Sequence, residues 1–198
     1  MQTIDEAHIK KWARTFLDDF LEEHDSLIDL YICGQTFNKE ELKIFVDELL
    51  SRENKKKATG ISLIEKDLDD DCIRELCRLE WLEDLEVPAN NLSNKAINQI
   101  VKYLPNLKRL VISGNPNITD ISKLQKLTQL EELFASNLPL QMDSNDFIML
   151  VGKTKLRALV IRDSNVDERT LKTLEVGLLK NSVDAAYLNN EHLEEEKH

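Results

Sequence analysis

The stretch Leu107-Lys108-Arg109-Leu110-Val111-Ile112-Ser113-Gly114-Asn115 constrains this chain more than any other. Its pattern is Leu-x-x-Leu-x-Ile-x-x-Asn. Alternation through Leu110, Val111 and Ile112 predicts a strand with residues 110 and 112 on one face and Val111 on the other. Asn115 follows at the turn that leaves the strand, where a side-chain amide can hydrogen-bond backbone groups. One short leucine pattern arises easily in an amphipathic segment, so the weight falls on its recurrence. With the third apolar position as ruler, the frame falls at Ile32, Leu63, Val87, Ile112, Ala135, Ile161 and Leu188, at intervals of 31, 24, 25, 23, 26 and 27 residues. The first apolar position reads Leu27, Ala58, Leu82, Leu107, Leu130, Leu156 and Val183. The second reads Leu30, Ile61, Leu85, Leu110, Leu133, Leu159 and Ala186.

Seven frames in register over residues 25–193 make the chain resemble the leucine-rich repeat family, in an irregular, helix-backed form. The resemblance implies an α/β solenoid with a curved parallel sheet on its concave face and helices on its convex face. It identifies a scaffold and not a ligand. The frames depart from the family pattern at the asparagine position. Asn90 and Asn115 occupy it, but Gln35, Lys66, Leu138, Ser164 and Glu191 stand there elsewhere. Those turns must be satisfied differently, and Leu138 cannot hydrogen-bond backbone groups at all.

Three regions are expected. Residues 1–24 form an N-terminal helix, with Thr3 and Glu6 as a capping box and Ile9, Trp12, Phe16 and Phe20 at spacings of three and four. It is read as a cap, because a solenoid must cover the exposed end of its core. Residues 25–193 form the array. Its backing helices bury Leu42, Phe45, Val46, Leu49 and Leu50; Ile73, Leu76 and Leu79 behind Asp69-Asp70-Asp71; Ile97, Ile100 and Leu104 behind the cap Ser93; a short segment from Ile118 to Leu127; Phe147, Leu150 and Val151; and Leu171, Leu174 and Leu178. The long first interval carries Ser51–Lys57, read as a solvated loop. Residues 194–198 are an acidic tail, serving as a minimal cap or leaving an open last strand edge that pairs with another chain.

Charge narrows the partners. A net charge of −11 argues against general nucleic-acid binding and against a polybasic membrane surface, and it keeps a leucine-rich solenoid soluble. No apolar run is long enough for a transmembrane span, and the acidic N-terminus lacks a signal-peptide core. Cys33, Cys72 and Cys77, odd in number and without ligand spacing, point to reduced thiols in the cytoplasm. A monomer with no cofactor and no metal is expected.

No reactive constellation is visible. His8, His24, His192 and His198 are scattered, glycine-rich phosphate loops and nucleophile elbows are absent, and Cys72 and Cys77 fall near buried helix positions. Some members of the family activate a small GTPase through a loop arginine. Arg162 stands alone at a strand exit here, with nothing nearby to support that role.

The remaining candidate is the concave face. The residue between the second and third apolar positions must point away from the core. Those residues are Tyr31, Ser62, Glu86, Val111, Phe134, Val160 and Tyr187, mostly apolar or aromatic, and expected to be exposed in a contiguous row. Flanking positions add Asp29, Gly60, Asp84, Arg109, Glu132, Ala158 and Ala185 on one side and Arg162 on the other. The resulting expectation is a non-catalytic module that binds a protein partner through Tyr31, Glu86, Arg109, Val111, Glu132, Phe134, Val160, Arg162 and Tyr187. The alternative is a regulatory subunit or injected effector acting on a host protein, such as a small GTPase or a ubiquitin ligase component.

Overall fold

The computed structural model describes residues 6–23, 27–29, 39–53, 58–64, 67–172, 174 and 185–188. The expectations for Thr3, Tyr31, Cys33, Lys55–Lys57, the turn positions Gln35, Lys66 and Glu191, Leu178 and the tail 194–198 lie outside those residues. The chain runs α1 (Glu6–Glu23), β1 (Leu27–Asp29), α2 (Lys39–Leu50), β2 (Gly60–Ser62), α3 (Asp70–Leu76), β3 (Asp84–Glu86), α4 (Asn94–Tyr103), β4 (Arg109–Val111), a 3-10 helix (Ser122–Lys126), β5 (Glu132–Phe134), α5 (Ser144–Lys153), β6 (Ala158–Ile161) and β7 (Ala185–Leu188). The strands form one sheet in sequence order, each parallel to the next.

The frames explain why the sheet has this face. Ile61, Leu85, Leu110, Leu133 and Leu159, the second apolar positions, are all fully buried. So are Leu63, Val87, Ile112, Ala135 and Ile161, the third. A three-residue strand cannot bury such side chains alone; each repeat is covered by its neighbours and by the element behind it. Behind the sheet, Asp69 caps α3 by accepting from the amides of Asp71 and Cys72, and Ser93 caps α4 by accepting from Lys95. Asp143 and Asp146 complete a capping box on α5.

One backing element differs in kind from the helix expected over 118–127. It is a five-residue 3-10 helix. Ile118, Ile121, Leu124, Leu127 and Leu130 recur every third residue and are all fully buried. That spacing matches the 3.0 residues per turn of a 3-10 helix and not the 3.6 of an α-helix. The amides of 118, 124, 127 and 130 accordingly donate to the carbonyls of 115, 121, 124 and 127, each three residues back.

The turns after the strands share one geometry. Ala89, Gly114, Asn137 and Asp163, each two residues past a third apolar position, all have positive φ, between 49° and 71°. Gly114 adopts this region without strain, whereas Ala89 does so at a cost of about 1–2 kcal/mol. The first three send their amides to the next turn: Ala89 to the Ser113 carbonyl, Gly114 to Ser136 and Asn137 to Arg162.

Buried side chains then tie the turns together. Asn90 donates to the Leu63 carbonyl at 2.9 Å and accepts from the Leu68 amide at 3.0 Å. Asn115 does the same one repeat later, donating to Val87 at 3.0 Å and accepting from Leu92 at 3.1 Å. Ser164 is a shorter version, donating to Ala135 at 3.0 Å and accepting from Leu138 at 3.3 Å. Leu138 interrupts the series, and the Ile112 carbonyl it would have served receives the second amide hydrogen of Asn115 at 2.8 Å. Leu138 itself joins the core.

Asn115→Ala therefore strands the Val87 and Ile112 carbonyls and the Leu92 amide in the interior. With about 1–3 kcal/mol lost for each buried group left unpaired, urea unfolding is expected to show a loss of roughly 3 kcal/mol or more. A loss within the scatter of the wild-type measurement would mean that the amide is not what fastens these turns.

Candidate binding surface on the sheet

Strand register decides which outer-face residues stand side by side. Ser62, Glu86, Val111, Phe134, Val160 and Tyr187 are paired in succession across six strands. Gly60, Asp84, Arg109, Glu132, Ala158 and Ala185 form a parallel row two residues earlier. From β2 onward this is the order that the frames predict.

The first strand corrects the expected row. Ile28 pairs with Ile61, and Asp29, not Tyr31, stands beside Ser62. Ile28, Leu30 and Ile32 place an apolar residue at every second position, and a slip of two residues leaves every side chain on the same face. Alternation alone therefore cannot separate the two registers. Tyr31 lies outside the described residues, and of Tyr187 only the backbone position is described.

Exposure also differs from expectation. Glu86, Val111, Phe134 and Val160 are half-buried, while Gly60 and Ser62 are buried. The Ser62 hydroxyl has no hydrogen-bond partner among the described residues. The large exposed apolar side chains among the described residues stand elsewhere, at Tyr103 on α4 and at Ile148 and Met149 on α5. Phe147, Leu150 and Val151 take the core face of α5 at spacings of three and four, which leaves Ile148 and Met149 outside that face, so the pair was readable in the sequence.

Arg109 organises the middle of the surface. Its Nη1 donates to Glu86 Oε1 and lies 3.1 Å from Asp84 Oδ1, and its Nε lies 3.2 Å from Glu132 Oε2. The guanidinium also covers Phe134, with its central carbon 5.2 Å from the ring centre. Arg157 reaches the same Glu132 at 2.7 Å and Glu131 at 3.2 Å. Charges of opposite sign at equivalent frame positions thus bridge neighbouring strands, three carboxylates turning toward one central guanidinium. Burial pushes the Asp84 carboxyl above its ordinary value; Arg109 opposes that shift and Glu86 adds to it. Arg162 follows the end of β6, where its amide donates to Ser136 Oγ at 3.0 Å.

Away from the sheet, Cys72 and Cys77 are buried, and burial pushes their thiols up to about 11 and about 12. Both are protonated at neutral pH and are weak nucleophiles there. Among the described residues no cluster of three or more His, Cys, Asp or Glu is placed to hold a metal ion. No described helix is long and apolar enough to cross a membrane.

No protein-family model matches the sequence, and no curated protein matches it. Solved structures do. An internalin from Listeria monocytogenes is 29% identical over 70% of this chain and 37% of its own, with a TM-score of 0.53. Internalin C2 of the same species is 20% identical over 74% of this chain and 55% of its own, also at 0.53. A leucine-rich repeat protein of Leptospira interrogans is 14% identical over 89% of this chain and 45% of its own, at 0.55. The chain is a leucine-rich repeat solenoid. It spans 37–55% of the length of these three structures. The likeness lies in the leucine-rich repeat fold: the stacked parallel strands that carry the Arg109 network are the part of the solenoid that the frames specify.

Proposed function

We propose that the chain is a non-catalytic interaction module that holds a protein partner against the outer face of its sheet. The observation that carries this reading is the side-by-side placement of Val111, Phe134 and Val160 on adjacent strands, half-buried and half-open. Adjacent strands lie about 4.8 Å apart, so the three side chains make a continuous apolar strip. Arg109 and its carboxylates border that strip, with the guanidinium lying over Phe134. A shallow sheet encloses little volume, which suits a protein surface better than a small molecule. Aromatic residues at the centre of such surfaces commonly carry about 2 kcal/mol or more of binding energy.

Phe134 and Leu133 separate binding from folding. Leu133 is fully buried beneath the sheet, and Leu133→Ala is expected to cost about 2–5 kcal/mol of stability. Phe134→Ala opens no core cavity. It is expected to leave thermal stability nearly unchanged while cutting capture of a partner from a cell lysate by at least about tenfold, the equivalent of roughly 1.4 kcal/mol. Combined Val111→Ser, Phe134→Ala and Val160→Ser variants that capture the partner as well as wild type would overturn the assignment.

We assign α1 the role of closing the N-terminal end of the core. Trp12, Phe16 and Phe20 stack along α1, at 5.4 Å and 5.9 Å between ring centres, and Trp12 meets Phe45 of α2 in a tilted contact at 6.0 Å. Arg52 ties the two helices by reaching both Asp18 and Glu48. Ala13, Leu17 and Leu21 are buried in the contact. Burying a large apolar side chain contributes about 1.5–3 kcal/mol, so removing residues 1–24 is expected to lower the melting temperature and promote aggregation. A soluble truncated chain that melts where the full chain does would mark α1 as a free partner-binding helix instead.

A further inference from the structure

We propose that the partner segment seated on the sheet is basic as well as apolar, with an arginine or lysine side chain placed beside Asp84 and Glu86 and an apolar side chain on the Val111–Phe134–Val160 strip. This inference rests on the sheet-face reading above and adds the partner's chemistry.

Three observations carry it. First, the charges do not balance. Asp84, Glu86 and Glu132 all turn toward the one guanidinium of Arg109, and among the described residues only Glu132 receives a second, from the more exposed Arg157. The Asp84–Glu86 end is left with two carboxylates and a share of one cation. Second, these carboxylates are half-buried, where charge is screened less than at an open surface and where an added cation gains most. Third, Ser62, the neighbour of Glu86 in the same row, holds a buried hydroxyl with no partner among the described residues. It is an acceptor left over at that end of the row. A cation arriving there meets the two carboxylates of β3, with the buried Ser62 hydroxyl beneath the neighbouring strand position, while its apolar neighbour reaches the strip one or two strands away. An acidic partner would meet the same carboxylates as repulsion, so the surface also discriminates by sign.

In this arrangement Arg109 is the built-in counter-ion and not the group that grips the partner. That gives the test a change of opposite sign. The probe is a fluorescein-labelled peptide of alternating Arg and Leu, compared with peptides in which Glu replaces Arg or Ser replaces Leu, read by fluorescence anisotropy with the full chain. The Arg/Leu peptide is expected to bind, and both control peptides to bind at least tenfold more weakly. Asp84→Asn with Glu86→Gln should weaken the Arg/Leu peptide at least tenfold, and Phe134→Ala should weaken it comparably. Arg109→Gln should tighten it severalfold. Neutralising the exposed convex-side residues Asp19, Glu22 and Glu40 serves as the control for general acidity and should change nothing. Thermal melts of each variant confirm that the fold is retained.

The outcomes separate the two claims. Loss on Phe134→Ala with no loss on the Asp84/Glu86 double variant overturns the basic partner and leaves the sheet face standing. No loss on either overturns both. Equal loss on the convex-side control overturns the inference by reducing the binding to net charge alone, and weakening by Arg109→Gln overturns the counter-ion role.

Discussion

What the structure depends on is the side-chain hydrogen bonding that joins one turn to the next. A strand of three residues has little hold on its neighbour through the ladder alone, and its apolar side chains have no cover within their own repeat. Asn90, Asn115 and Ser164 supply the hold from inside, each giving a hydrogen to the preceding turn's carbonyl and taking one from a preceding amide. These groups are buried, so leaving any of them unpaired is costly, and the spacing between repeats is fixed accordingly. The fully buried leucine layers then stack without choice of register, because sliding one strand would break a turn as well as a ladder.

The same stacking creates the outer face. Frame positions that carry no packing duty fall into rows, and a charge at one position meets whatever stands at the equivalent position of the next repeat. Asp84, Arg109 and Glu132 come together only because intervals of 25 and 23 residues become neighbouring strands. Their pairing does little for overall stability, as partly exposed ion pairs contribute about 0–1 kcal/mol. Its effect is positional: Arg109 is held across Phe134 and between strands, so the surface presents one arrangement to whatever approaches.

Much of this could be read in advance, and the exceptions have physical reasons. The frame predicted the parallel order from β2 onward, because second and third apolar positions repeat without a break from Ile61 to Ile161. It misplaced β1 by two residues, since a segment that alternates apolar residues offers two registers of the same facing and only pairing with β2 selects one. The period of three in Ile118, Ile121, Leu124, Leu127 and Leu130 marked a 3-10 helix, although a leucine-rich segment between strands invites an α-helix. Leu138 read as a defect in the turn series; its absence is met by the spare hydrogen of Asn115, a compensation from the preceding repeat that no local pattern contains. The bridging of Arg109 was half-legible. Opposite charges at matching positions were visible, but the convergence of three carboxylates and a ring on one guanidinium depends on side-chain reach across strands.

An amide chemical-shift map of the intact chain, recorded with increasing amounts of the Arg/Leu peptide, locates the bound segment residue by residue. Binding on the outer face of the sheet predicts that the largest changes follow the rows, at Asp84–Glu86, Arg109–Val111, Glu132–Phe134 and Ala158–Val160, with the backing helices nearly silent. Changes centred instead on α5, around the exposed Ile148 and Met149, would contradict it and move the interaction to the opposite side of the solenoid.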